Sequence, residues 1–248
     1  MTEDLFRADA YLRECEARIL RIDEGGIVLD RTVFYPLGGG QAGDSGMLVL
    51  ADGRELAIVD TRKAKDAEGR PTDEILHVAV PEQSELLGAL NAGDTVTARI
   101  DWTRRHKLMR FHTATHLLCH LVPQPVNGCS ITPEYARLDF HMTDPLDKEA
   151  LTAGLARLIG AAHPLVVSAI TDAELDAEPA LVKSMSVQPP RGTGTVRTIR
   201  IGDREQIDFQ PCGGTHVANT SEIGSVVVTK IEKKSANSRR VVLGWAGT

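Results

Sequence analysis

"DWTRRHKLMRFHTATHLLCHLV", Asp101–Val122, is where the character of the chain changes. Leu108, Phe111, Thr115, Leu118 and Cys119 recur at three- and four-residue spacings, the period of one helical face. Asp101 stands where an N-cap belongs, and Pro123 and Pro125 stop the helix. Three histidines, His112, His116 and His120, fall at four-residue intervals, about one turn apart. An ion held at positions i and i+4 sits over one turn. His120 lies about 12 Å along the axis from His112 and about 80° around it, too far for one ion with bonds of about 2 Å. At most two adjacent histidines share an ion, and the helix alone leaves open which pair.

Before this segment the chain reads as β. "ARILRIDEGGIVLDRTVFYP" has Val/Ile/Leu runs broken at Gly25-Gly26, and "GMLVLADGRELAIVDTRK" has two apolar runs around Asp52-Gly53, a favoured hairpin turn. "EILHVAV" and "TVTARID" are further strands, and Pro81–Ala92 is a short helix or a loop. Short strands at this spacing predict a small barrel or sandwich. After the helix, "YARLDFHM" alternates as a strand, "DKEALTAGLARLIGAAH" is an amphipathic helix and "PLVVSAI" a strand. "TDAELDAEPAL" is a short acidic helix, and "GTVRTIRIG", "EQIDFQ", "GSVVVTKIE" and "RRVVLGW" are strands. The expected fold class is α+β: a small β-barrel-like domain over 1–98, then an α+β domain over 99–248.

Composition sets outer limits. In 248 residues the apolar fraction is 42% and the charged fraction 25%, ordinary for a soluble globular chain. No apolar run approaches the ~18 residues that span a membrane, and the acidic, mixed N-terminus is unlike a signal peptide; a cytoplasmic location is expected. Cys15, Cys119, Cys129 and Cys212 form no CxxC pair, which fits a reduced chain better than a disulfide scaffold. A net charge of −6 argues against a general polyanion binder. Local clusters remain: Arg104, Arg105, Lys107 and Arg110; Arg191, Arg197 and Arg200; and Lys230, Lys233, Lys234, Arg239 and Arg240. Each cluster alone is most simply a solvated face, and together they are candidate phosphate contacts.

The feature that complements the histidine helix lies downstream. "QPCGGTHVANTSEIG" places Cys212 and His216 four apart around Gly213-Gly214, a pattern for a tight loop. Cys and His are good zinc ligands, and a helix pair with a loop pair makes a tetrahedral Cys-His₃ set. Gly38, Gly40 and Gly43 spell GxGxxG, with Asp60 17 positions after Gly43. A dinucleotide site needs a helix opening at those glycines, whereas Asp44-Ser45-Gly46 leads into a β-like run, so no nucleotide cofactor is expected.

"HTATHLL" at 112–118, "VNGCSI" with "RLDF" within 126–140, and "CGGTH" at 212–216, in that order, resemble the free-standing alanyl-tRNA editing (AlaX-type) proteins and the related editing domain of alanyl-tRNA synthetase. The resemblance extends to "FYPLGGGQAGDSG" at 34–46, similar to the glycine-rich motif of the longer editing proteins. It does not extend to the synthetase's ATP-binding aminoacylation domain, and the length leaves no room for the extra C-terminal domain of the longest forms.

The resemblance implies one zinc ion held by His112, His116, Cys212 and His216, with His120 outside the set, and His106, His141 and His163 structural or exposed. It implies hydrolysis, in trans, of the ester on mischarged tRNA(Ala), chiefly Ser-tRNA(Ala) and also Gly-tRNA(Ala), with the acceptor end of that tRNA as partner. Ser130 is the candidate partner for the serine hydroxyl, although Cys129 stands where many relatives carry Gly. Gln41 is a candidate polar contact to substrate. No Ser-His-Asp set or carboxylate pair stands out as an independent base, so a zinc-oriented water is the expected nucleophile. The alternatives are a threonyl-type tRNA editing domain and a non-catalytic, zinc-stabilised RNA-binding module. Oligomeric state is not legible.

Overall fold

Short apolar runs punctuated by Gly and Asp fold the N-terminal part of the chain into strands. In order these are β1 (Glu3–Asp4), β2 (Glu14–Asp23), β3 (Gly26–Leu29), β4 (Arg31–Thr32), β5 (Gly46–Leu50), β6 (Glu55–Lys65), β7 (Pro71–Ala79) and β8 (Thr95–Ile100), with the one-turn helix α1 (Ser84–Gly88) before β8. The computed structural model describes residues 1–23, 26–189, 194–203 and 205–247. The Gly25 half of the expected Gly25-Gly26 turn, and Arg191 of the second basic cluster, lie outside them.

The chain forms two compact units, Met1–Gly38 with Ala42–His106, and Gly39–Gln41 with Lys107–Thr248. The division therefore falls inside a helix rather than at 98/99, because the first turn of that helix packs with the strands before it. The whole is strand-rich mixed α and β.

In the first unit the strands pair in the order β2-β3-β7-β6-β5-β8, and β8 pairs back onto β2, so the hydrogen-bonded ring closes. Period-2 burial, as in the eBiBeB pattern of β8, sends Ile19, Ile27, Leu48, Leu56, Ile58, Val96 and Ala98 into one core. The Asp52-Gly53 hairpin between β5 and β6 forms as expected, with Arg54 N–H donating to Asp52 Oδ1 at 3.0 Å. The run after Lys65 is a second hairpin: β6 turns at Asp66–Arg70 and returns as β7.

Two buried polar groups pin this unit. Arg105 and Asp44 are both fully buried. The Arg105 Nε donates to both Asp44 oxygens at 3.1 and 3.0 Å, and its other nitrogens donate to Ala10 O (3.0 Å) and Val33 O (2.6 Å). Asp44 also accepts the Tyr35 N–H at 2.6 Å. The guanidinium is thus paired and its donors satisfied, which a buried charge requires. His77, also fully buried, donates Nδ1–H to Ile27 O (3.0 Å) and accepts the Thr32 hydroxyl on Nε2 (2.7 Å). Burial lowers its pKa to about 4, so it stays neutral.

The second unit is organised by α2 (Trp102–Leu121), which begins in the first unit. Asp101 caps it through Oδ1, accepting from Arg104 N at 3.0 Å. Residues 111–119 are buried on every side, so the helix is a core element, not a one-faced amphipathic one. Its threonines are satisfied internally: Thr113 and Thr115 donate to Met109 O and His112 O.

Around it stand β9 (Val126–Ile131), β10 (Tyr135–His141), α3 (Lys148–Gly160), β11 (Leu165–Thr171), α4 (Asp172–Ala177), β12 (Thr195–Ile201), β13 (Asp208–Pro211), β14 (Val226–Ser235) and β15 (Ser238–Trp245). The strands form two antiparallel sheets, β14-β15-β10-β9 and β11-β12-β13. Asp147 caps α3, which buries Leu151, Leu155, Leu158 and Ile159, and a Thr171/Glu174 capping box starts α4. Gly40 carries Gly39–Gln41 onto β9: its carbonyl accepts Ile131 N–H at 2.7 Å. No described helix is long and apolar enough to cross a membrane.

Two outcomes follow. Arg105→Met leaves Asp44 buried without its cation, and urea unfolding should show a loss of about 3–5 kcal/mol. For His77 the folded pKa lies below the unfolded value, so its effect is absent above about pH 6.5 and costs stability as pH falls toward 4. Replacing it by Gln removes two hydrogen bonds at pH 7.5, yet the gap to the parent protein should narrow by about 2 kcal/mol at pH 4.5 in the same measurement.

Candidate metal centre

Helix α2 presents His112 and His116 one turn apart, and the loop after β13 brings Cys212 and His216 to them. One ligand atom from each of the four lies within 4.8 Å of all the others, and the three histidines are 4–5% exposed. The His112 and His216 Nε2 atoms lie 3.5 and 3.3 Å from Cys212 Sγ. Zinc bonds of about 2.0–2.1 Å to nitrogen and 2.3 Å to sulfur give tetrahedral N···S edges of about 3.6 Å, close to these separations. One thiol and three imidazoles are also the right donors for zinc, so the residues present fit it.

Each imidazole has its other nitrogen engaged by protein. His112 Nδ1 donates to Gln41 Oε1 at 2.7 Å, and His116 Nδ1 to Asp208 Oδ2 at 2.7 Å. His216 Nδ1 donates to the Thr113 hydroxyl oxygen at 3.2 Å, whose own proton goes to Met109 O. With Nδ1 committed, Nε2 faces the cluster, where it can offer a lone pair to a metal ion or, on His116 without one, a proton to the Cys212 thiolate, the arrangement that orients metal-binding histidines. Asp208, 2% exposed, further accepts from Lys183 Nζ and from Gln210 Nε2 (2.8 Å).

The electrostatics favour a bound cation. Burial opposes charge on Cys212, but His112 and His216 outweigh it and hold the thiol well below its ordinary pKa. Burial and the His112 charge push His216 down to about 3. His116 is opposed by burial and still rises to about 9 through its hydrogen bonds to Asp208 and Cys212. Against the cost of burial, His116 and Lys183 hold Asp208 at about 2.

Local sequence explains the loop. Cys212 and Gly214 carbonyls accept Arg197 Nη1–H at 2.6 and 3.1 Å, and Gly214 N–H points at Cys212 Sγ (3.5 Å). Gly214 does not need an unusual φ; it needs space. A Cβ there would stand 2.1 Å from His112 Cε1 and 2.9 Å from Gln41 Oε1.

The remaining sequence candidates fall elsewhere. Gln41, expected at the substrate, is fully buried behind His112, with its amide bonded to Thr215. Ser130 pairs with Arg137 in β9, on the strand face opposite Cys129, and among the described residues no hydrogen bond joins it to the cluster. Cys129 packs on Gly40, and burial raises the thiols of Cys119 and Cys129 to about 12. His120 is half-buried outside the cluster, His106 stacks on Trp102, and His141 is exposed.

The basic clusters are mostly structural. Arg105 is the buried partner of Asp44, Arg104 donates to Gly43 O, and Arg110 lies 4.2 Å over Trp245. Arg197 holds the metal loop, and Arg239 binds the Ser235, Ala236, Ser238 and Thr143 carbonyls. Arg240 chelates Asp139, and the exposed Lys230 pairs with Glu232; among the described residues of the three clusters Arg200, Lys233 and Lys234 are also exposed, and Lys107 is half-buried. Sequence reasoning passed over Asp208, Thr113 and Lys183, because their roles depend on partners that sequence spacing does not reveal.

Residues 196–242 match the family described as the threonyl and alanyl tRNA synthetase second additional domain, and residues 7–104 match the class II (A) tRNA synthetases. The alanyl-tRNA editing protein AlaX-M of Saccharolobus solfataricus is 34% identical over 97% of this chain and 98% of its own length. That of Methanosarcina acetivorans is 33% identical over the same shares. An alanine–tRNA ligase of Saccharolobus islandicus is 32% identical over 94% of this chain, which spans a quarter of that enzyme. The chain belongs to the AlaX-M family of alanyl-tRNA editing proteins.

Gly214→Ala should displace His112. Zinc retained after dialysis, measured by atomic emission, should fall at least tenfold in affinity while circular dichroism stays unchanged.

Proposed function

We propose that this protein is an aminoacyl-tRNA ester hydrolase acting in trans on mischarged tRNA(Ala), with one zinc ion held by His112, His116, Cys212 and His216. The convergence of three imidazole Nε2 atoms and one acidified thiol in one cluster carries this reading. The relatives' names, alanyl-tRNA editing protein, supply the substrate class.

When bound, zinc supplies Lewis-acid polarisation of an ester carbonyl or an anchor for the substrate amine and a water. The chain's own residues do the rest. Gln41, Asp208 and Thr113 orient the imidazoles through Nδ1, and Arg197 fixes the loop that carries Cys212. The expected targets are Ser-tRNA(Ala) and Gly-tRNA(Ala). A pocket for alanine cannot strongly exclude an analogue that merely gains a hydroxyl, whereas a second site that hydrogen-bonds the hydroxyl can reject alanine by about 10⁴–10⁵.

The deciding measurement is amino-acid release from purified tRNA, with and without chelator. Serine should be released from Ser-tRNA(Ala) with Ala-tRNA(Ala) spared, and chelation or Cys212→Ala should lower the rate at least 100-fold. Preferential release from Ser-tRNA(Thr) would assign the threonyl-type alternative. Tight tRNA binding without release would leave only an RNA-binding module.

A further inference from the structure

We infer that Gln41 is a positioning residue for the metal centre, and that it sets the tautomer of His112 from the glycine-rich turn. The inference rests on the cluster's being a metal site. It begins with a donor whose identity is beyond choice, the backbone N–H of Thr215, which points at Gln41 Oε1 from 3.1 Å. A backbone N–H only donates, so the amide atom facing it is the oxygen. The amide NH₂ then faces the Thr215 hydroxyl at 2.9 Å, which accepts it. Flipping the amide would set two donors against each other in a fully buried place.

The same Oε1 lies 2.7 Å from His112 Nδ1. An oxygen acceptor there requires the proton on Nδ1, which leaves the Nε2 lone pair facing Cys212 Sγ 3.5 Å away. The Thr215 N–H thus fixes the amide, the amide fixes the imidazole, and the imidazole offers its lone pair to the ion. Thr215 lies between Cys212 and His216, so the loop that supplies two ligands also orders a third through Gln41.

The glycines before Gln41 make that reach possible. Gly39 and Gly40 have φ of 57° and 86°, and a Cβ on Gly40 would lie 2.9 Å from the Cys129 side chain and carbonyl. The turn carries Gln41 onto Ile131, to which it is bridged in parallel. A surface contact to substrate would need the amide free; here both of its ends are occupied by protein.

The test uses the full chain and Co²⁺, whose visible spectrum reports tetrahedral thiolate coordination. Gln41→Met keeps the length and removes the acceptor, and should weaken Co²⁺ and Zn²⁺ binding by about 10–100-fold. Gln41→Glu still accepts both N–H groups and should stay within about threefold of the parent protein. A long-range ¹⁵N–¹H spectrum of the zinc-loaded parent should show the His112 proton on Nδ1.

Unchanged metal affinity in a folded Gln41→Met protein overturns the proposal, as does a Gln41→Glu loss of tenfold or more. Should Gln41→Met not fold, the Glu variant and the spectrum decide alone, and an Nε2–H tautomer for His112 counts against it. If the parent chain binds neither metal, it is the metal reading that fails.

Discussion

Everything at this site depends on the second nitrogen of each imidazole. A neutral histidine has one donor and one acceptor nitrogen, and burial makes an unmatched assignment expensive. In this protein three different acceptors settle the matter: an amide oxygen for His112, a carboxylate for His116 and a hydroxyl for His216. They come from the glycine-rich turn, from β13 and from α2 itself. Their common effect is that the Nε2 atoms of all three face one thiol. Three buried imidazoles beside a half-buried thiol would be a cost to the fold without such assignments; with them the cluster has the donors a cation would need.

The helix that carries two of those histidines shows why the assignment must be strict. Residues 111–119 of α2 are buried all round, so no polar side chain there has water to fall back on. Thr113 meets this by donating to Met109 O while accepting from His216 Nδ1 and Val217 N–H. One hydroxyl therefore closes a helix-internal bond and braces the metal loop. Asp208 is used as densely, accepting from His116, Lys183 and Gln210. Its charge lowers the cost of a cation at the cluster, and Lys183 and His116 keep it ionised.

Much of this was legible in the sequence, for identifiable reasons. The helical period and Asp101 cap lie within one segment, and the HxxxH and CGGTH pairs are local patterns that each imply ligand geometry. The limit was reached where meaning depends on distant partners. Arg105 reads as one of four neighbouring cations, yet its carboxylate is 61 positions earlier. Gln41 reads as a polar side chain free for substrate, and its partner Thr215 is 174 positions later. "VNGCSI" was used only as a family motif; its Asn-Gly pair resembles a turn, whereas pairing with β10 keeps it extended as β9. The period of α2 marks a single helical face, whereas residues 111–119 are buried all round, because hydrogen bonds let its threonines and histidines be buried too.

Glycine has two distinct jobs here, and separating them explains why the site is built from runs of it. Gly39 and Gly40 supply backbone angles that other residues rarely adopt, and these turn the chain so that Gln41 lands on β9. Gly214 has no such angle; it yields the volume that the His112 imidazole fills. A turn that merely flexed would leave Gln41 a mobile side chain with no fixed acceptor, and a loop that merely flexed would let Cys212 and His216 drift from α2. Rigid hydrogen bonds follow each glycine: Ile131 N–H to Gly40 O, and Arg197 to the Cys212 and Gly214 carbonyls. The glycines permit close approach and the hydrogen bonds make it permanent. Three segments distant in sequence therefore meet with their donors already aimed, which is the condition for a metal ion to bind without first reorganising the protein.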